Sequence, residues 1–428
     1  MNKNITQNQN YDLTVIGGGP AGMMTAISAA SKGKDVALIE KNRRLGQKLL
    51  LTGKGRCNIT NAENDIKKFA KEYGKNAHFL LPALYNFTPQ DTLHFFMQCG
   101  INTKIERGNR VFPQSDKASD VLRGLVKMLN KQNVEILLNT KVVSIISKNN
   151  TIKKINTDKG DIISKNYVVA TGGLSYPETG STGDGYKWAE KLGHKLILPR
   201  PALVGVIVKE KWIKQLQGLS LKNVKITLHQ PSDPDHLHPS SYKKLDEKFG
   251  EALFTNVGMS GPIILDMSKK IGGLLQYGPC KLVIDFKPAL DFTQLDKRLL
   301  NDFQEFDKKM FKNSLNQLLP SKIIPLIIEL SKINPEKRVN QITRNERSRL
   351  LHLLKEFELT VTKTEGFEKA IVTAGGIELT EIDSKTMKSK IIDNLYLAGE
   401  ILDIDGPTGG YNLQMCWSTG SLAGKFRS

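Results

Sequence analysis

Residues 13–40 read "LTVIGGGPAGMMTAISAASKGKDVALIE", and the reading of this stretch decides the fold. "LTVI" (13–16) is a short apolar run of the kind that forms a buried parallel strand. Gly17, Gly19 and Gly22 follow at G-x-G-x-x-G spacing, with Pro20 and Ala21 inside the motif. The residues up to Gly33 are small and apolar, as a helix packed on a sheet requires. "DVALIE" (35–40) supplies a second strand ending at Glu40, 18 residues after Gly22, with Lys41 next. Each part has a physical task. Gly17 permits a tight turn, Gly19 lets backbone approach a pyrophosphate, and Gly22 lets helix and strand pack closely. The helix start offers amides and partial positive charge to phosphates. Glu40 is placed to accept hydrogen bonds from an adenosine ribose. Strand, helix, second strand and acid in register predict a Rossmann-like dinucleotide-binding domain.

Three further stretches bear on which dinucleotide. "NLYLAGEILDIDGPTGGYNLQMCWSTGSLAG" (394–424) reads as strand, acidic loop, glycine turn and a helix of small residues. It resembles the terminal FAD motif of two-dinucleotide-domain flavoproteins. That resemblance implies that Glu400, after Gly399, bonds the ribityl chain, and that Gly410, Asn412 and Leu413 lie at the flavin edge. "KNYVVATGG" (165–173) is a buried strand ending in Thr171 and Gly172, where such proteins pass close to FAD. Val142, in "VEILLNTKVVSI" (134–145), stands where they contact adenine through backbone. "LLLTGKGRCNITN" (49–61) sets Gly53 and Gly55 around Lys54, then Arg56, Cys57 and Asn58. Such a loop lies against a flat ligand or is a surface turn holding one buried cysteine. No second G-x-G-x-x-G follows a strand. NAD(P)H is therefore expected only as a transient reductant.

At 428 residues the chain is expected to hold two or three domains, and 39% hydrophobic with 25% charged residues describes a soluble globular protein. The N-terminal "MNKNITQNQN" is polar, and no apolar run approaches the ~20 residues that span a bilayer. Cys57, Cys99, Cys280 and Cys416 show neither disulfide nor zinc spacing, so a cytoplasmic protein is expected. His236 and His238 have no acidic or cysteine partner at ligand spacing, and no metal is expected. The net charge of +19 suits a polyanion such as RNA. A lysine-, asparagine- and isoleucine-rich coding bias would also produce it.

The matching stretches run from residue 15 to residue 420. They include "VIGGGPAGMMTAISAASKG", "KLLLTGKGRCNITN", "ATGGLSYPETGSTGDGYKWAEKLGH", "GEALFTNVGMSGPIILDMS" and "VTAGGIELTEIDSKTMKSK". On these the chain resembles the BaiN-like family of FAD-dependent oxidoreductases, also described as aminoacetone oxidase-like flavoproteins. Lys54 and Cys416 depart from it, where a small residue and alanine are expected. The resemblance implies an α/β fold with an FAD domain at 1–195 and 366–428. An inserted β-barrel-like domain is expected at 196–290 and a helical subdomain at 291–365. "TGDG" (182–185) also resembles a turn and helix of fumarate reductase-like flavoproteins, with Asp184 suited to cap the helix. The family is associated with reducing conjugated double bonds in steroid acids, with amine oxidation, and with forming dihydrouridine in ribosomal RNA. The charge favours uridine in ribosomal RNA. A small-molecule oxidoreductase and an RNA-binding protein with structural FAD are the alternatives. Cys57, beside Lys54 and Arg56, is the candidate proton donor, with a packing role as its alternative.

Overall fold

The computed structural model describes residues 10–231 and 242–426. His236 and His238 lie outside the described residues. The chain divides into two compact units, one of Met1–Pro201 with Phe367–Ser428 and one of Ala202–Gly366.

The first unit is built on the strand, glycine turn, helix and strand of residues 10–39. Strand β1 (Asn10–Ile16) leads into helix α1 (Pro20–Ala30) and strand β2 (Val36–Ile39). The strands pair in parallel, from Leu13 opposite Val36 to Ile16 opposite Ile39. On its other side β1 pairs in parallel with Gly160–Val169. The full order is Glu135–Leu137, β2, β1, Gly160–Val169, Thr151–Thr157, Val142–Lys148, and Leu395–Leu397 pairs onto Gly160–Val169. All four residues of β2 are buried, as a strand covered on both faces requires. The last helix, Tyr411–Ala423, lies on α1. Glycine permits that approach: a Cβ on Gly420 would stand 2.4 Å from the Ala21 carbonyl oxygen. Ser28 Oγ donates to the Ser421 carbonyl at 2.9 Å across the same contact.

The second unit holds a closed six-stranded antiparallel barrel. Its order is Val206–Val208, Gly258–Ser260, Tyr242–Phe254, Ser220–Pro231, Cys280–Asp285 and Phe357–Thr364. Helices Phe292–Glu305, Ile324–Ser331 and Arg344–Lys355 come before that last strand. The stretch 291–365 is therefore not helical throughout. Helical spacing stops at Lys355, and in "FELTVTKT" alternation takes over, burying Phe357, Leu359 and Val361. The first boundary also falls later than residue 195. Leu196–Ala202 is a strand that pairs with Val372–Ile377.

Candidate functional site

The turn between β1 and α1 forms one wall of a cavity of about 890 Å³, open solvent at its mouth included. Gly17, Gly19, Pro20, Ala21, Glu40, Lys41, Val142, Thr171, Gly172 and Glu400 all line it. The strands' carboxyl ends converge here, where open α/β sheets bind ligands.

The glycines of the motif do different work. Gly17 has φ +109°, and a Cβ there would stand 2.6 Å from the Ala170 carbonyl oxygen. A Cβ on Gly22 would stand 1.9 Å from the Gly17 carbonyl oxygen, so Gly22 packs strand to helix. Gly19 is the exception. Its φ is −79°, which any residue adopts, and nothing lies within 4 Å of its Cβ position. The fold does not need glycine there. The space is left for something that is not protein. Gly19 caps α1 without a side-chain bond, and Pro20 follows at the first turn, so the first free amides face the cavity wall unpaired.

Glu40 is fixed at the end of β2 by the amides of Gly18 and Asn42, each at 2.8 Å, and its remaining lone pairs suit a ribose hydroxyl. Lys41 turns to Asp184 (2.7 Å) and Thr182 (2.6 Å). Asp184 is the first residue of helix Asp184–Lys191, and Gly183, with positive φ, takes the cap that the sequence assigned to Asp184. Thr171 Oγ1 is buried with no partner. That hydroxyl lies against Gly185, whose Cβ position is 2.2 Å away, and it is the cradle open at Gly19, with Glu40 on the same wall, that fits a large polar ligand such as FAD.

Lys48 was not read from the sequence, because nothing in the local pattern "LGQKLL" distinguishes it. It lines the cavity, with its ammonium 2.9 Å from Glu400 Oε2 and 3.0 Å from Ser175 Oγ. Glu400 also accepts from Ser175 Oγ (2.9 Å) and the Thr373 amide (2.8 Å). An ammonium has three donors, and two are used here.

Gly53, Arg56, Cys57, Asn58, Gly399, Gly410, Asn412 and Leu413 do not line this cavity. The structure nevertheless joins the two glycine-rich stretches. A Cβ on Gly410 would stand 2.3 Å from the Thr60 carbonyl, and Asn61 Nδ2 donates to the Gly409 carbonyl at 3.1 Å. Trp417 Nε1 donates to the Ile59 carbonyl at 2.9 Å. Asn58 Oδ1, in the same stretch, is buried without a partner. Gly399 serves packing, its Cβ position 2.6 Å from Ala21 Cβ. The Asn412 side chain closes its own loop, bonding both the amide and the carbonyl of Gly406 at 2.8 Å.

Arg56 and Cys57 are both held by other parts of the chain. Arg56 pairs with Asp116 (2.6 Å) and with Glu106, and it stacks on Phe112 at 4.0 Å. Those partners lie far along the chain, which is why the local motif did not show them. Cys57 is fully buried, and burial pushes its thiol up to about 12. The thiol is protonated and does not line the cavity, which favours the packing role over that of a proton donor. Cys416 does line the cavity, and burial pushes it too up to about 12. Ser389, His194 and Glu381 form a hydrogen-bonded series at 2.9 and 3.0 Å. Ser389 Oγ already accepts from the amides of Ile391 and Ile392, and the group is structural.

Among the described residues no group of acids, histidines and cysteines is arranged to hold a metal, and no helix is long and apolar enough to cross a membrane. The family model described as the HI0933-like protein Rossmann domain matches residues 11–426. The chain is 32% identical over 414 residues to a 3-dehydro-bile acid delta(4,6)-reductase of Clostridium scindens, covering 96% of this chain and 97% of that one. It is 32% identical over 411 residues to a ribosomal RNA dihydrouridine synthase of Haemophilus influenzae, covering 95% of each. Among solved structures, quinol fumarate reductase FrdA of Escherichia coli superposes with TM-score 0.51 at 14% identity, covering 98% of this chain and 70% of that one. A 3-ketosteroid delta1-dehydrogenase of Sterolibacterium denitrificans gives 0.50 at 12%, covering 97% and 99%. These structures share the fold.

Proposed function

Because the chain belongs to the HI0933-like family of Rossmann flavoproteins, we propose that it reduces a conjugated C=C bond, namely the C5=C6 bond of a uridine in ribosomal RNA. The family makes it an FAD-dependent oxidoreductase, and the substrate is the further step. The two relatives at 32% identity are reductases of different molecules, a bile acid and a ribosomal RNA. The observation that favours RNA is the net charge of +19. Such a surface gains binding energy by releasing counterions from a polyanion, and gains little from a small molecule with one charge or none.

FAD, when bound, supplies the hydride. The rest of the work falls to the chain. The open cradle at Gly19 and the first amides of α1 receive the pyrophosphate, and Glu40 orients the ribose. Lys48 and Glu400 form a fixed charge pair on the wall, with one ammonium proton still to donate. The last helix begins at Gly410 without a capping side chain and brings partial positive charge to its N-terminal end. That end favours negative charge in whatever group lies against it. In uracil, C6 is the hydride acceptor because C5=C6 is conjugated with the C4 carbonyl, and C5 then takes a proton. NAD(P)H is the proposed reductant, and the cytoplasm the proposed setting.

The test is to reduce the enzyme anaerobically and offer ribosomal RNA from a strain lacking the gene. Reoxidation with one new dihydrouridine, found by mass spectrometry of nucleosides, is the expected result. A protein oxidised quickly by a small enone or imine but by no ribosomal RNA is a small-molecule enzyme. One oxidised by neither holds FAD as a structural group.

A further inference from the structure

We propose that the RNA is gripped by the helical part of the second unit, through a surface formed by Lys308, Lys309, Lys332, Arg338, Arg344 and Arg349. This rests on the ribosomal RNA reading above and adds the place of contact.

Backbone bonds bring three separate stretches into one surface. The Phe311 amide donates to the Lys337 carbonyl at 2.8 Å, and the Val339 amide to the Lys309 carbonyl at 3.1 Å. Lys337 pairs with Glu346 at 2.8 Å, which ties this ribbon to the start of helix Arg344–Lys355. Arg349 Nε donates to the Ser331 carbonyl at 3.1 Å, which holds that helix to the end of the preceding one, next to Lys332.

The cations divide into two groups. Lys312 is neutralised by Glu336 (2.6 Å), Lys337 by Glu346, and Arg347 by Asp296 (2.6 Å). The six named above are exposed and make no ion pair among the described residues. The unpaired acids on the same stretches are Glu305, Asp307 and Glu329, so positive charge is in excess. The type of cation is informative as well. Residues 338–349 carry four of the chain's 13 arginines. A coding bias toward lysine spreads lysines and does not gather arginines into one turn and one helix start. Arginine is also the side chain whose planar fork matches a phosphate.

The experiment compares two charge-neutralised variants of the FAD-loaded enzyme. One carries Lys308→Gln, Lys309→Gln, Arg338→Gln and Arg344→Gln. The other removes the same charge from exposed helix positions in the first unit, as Lys67→Gln, Lys71→Gln, Lys127→Gln and Lys131→Gln. Both should keep full FAD content and wild-type oxidation by a small enone, which reports an intact fold. The first should bind a large-subunit ribosomal RNA fragment at least ~10-fold more weakly at 0.1 M salt. Its plot of log affinity against log salt should be shallower by about 3, as four lost phosphate contacts require. The second should stay close to wild type in both. Equal weakening of the two variants would overturn the proposed surface while leaving the substrate reading intact. A wild-type enzyme that neither binds the fragment nor is oxidised by it would overturn both.

Discussion

Gly19 and Gly22 look alike in the motif and differ in what surrounds them. A side chain at Gly19 enters open space, so Gly19→Val should fold as wild type does and lose the cofactor. The purified variant is expected to be colourless, with its apo melting temperature unchanged within about 2 °C. A Cβ at Gly22 collides with backbone 1.9 Å away. Gly22→Ala should therefore lose ~3 kcal/mol or more of stability, measurable by urea unfolding, or fail to accumulate in folded form. Cys57→Ala should keep both FAD and turnover within a few-fold, and a loss of ~10²-fold in product formation would restore it as a proton donor. At this scale the sequence showed which residue types attend a dinucleotide. It could not show which glycine faces the ligand, because that depends on what the rest of the chain places opposite. The same limit hid Lys48 and misdirected Arg56, whose partners Glu106 and Asp116 come from a different part of the sequence.

Elements that bind no ligand still carry pH dependence. His194 follows helix Asp184–Lys191 and is buried between Glu381 and Ser389. Burial lowers its pKa below the ordinary 6.5, against a smaller opposing pull from Glu381. The unfolded chain therefore takes up this proton at a higher pH than the folded one does. The stability contributed by neutral His194 is complete above about pH 6.5 and is lost as pH falls through the window down to its folded pKa. Thermal melts of the wild type should fall between pH 7 and pH 5.5, and His194→Gln should flatten that fall. An unchanged slope in the variant would mean that other groups control acid sensitivity. The strands β1 and β2 were legible because burial on both faces leaves an unbroken apolar run. Phe357–Thr364 was not, since its apolar residues continue the spacing of the helix just before it. Tyr242–Phe254 escaped notice because "YKKLDEKFGEALF" is too polar to stand out as a strand.

The molecule as a whole consists of two units with separate cores, one around Leu13, Leu38, Tyr167 and Trp417, the other around Phe254, Leu282, Phe311 and Leu359. A ligand that binds only the folded state of one unit stabilises that unit by mass action, by ~2.7 kcal/mol at a hundredfold excess over Kd. Calorimetry of the apo and FAD-loaded protein should therefore show a rise in melting temperature for the first unit. Trp188 and Trp417 report on that unit and Trp212 on the other, so fluorescence of single-tryptophan variants would assign the transition. A rise confined to Trp212 would place FAD elsewhere. The insertion was legible because the flavin-like segments occupy both ends of the sequence and skip its middle. Its boundary was not, since a strand pairing across the junction, Leu196–Ala202 with Val372–Ile377, leaves no mark on either stretch alone.

The insertion of the second unit within the first bears on how the protein is made. Leu395–Leu397 and the last helix complete the first unit, yet they leave the ribosome only after all of Ala202–Gly366 has been translated. At ordinary elongation rates this is a delay on the order of ten to thirty seconds. Only at its end is the closing barrel strand Phe357–Thr364 made, and throughout it α1 waits uncovered and Gly160–Val169 keeps a free edge. The nascent first unit is thus a client for chaperones until its own distal segment arrives, and the cofactor can be captured only after that.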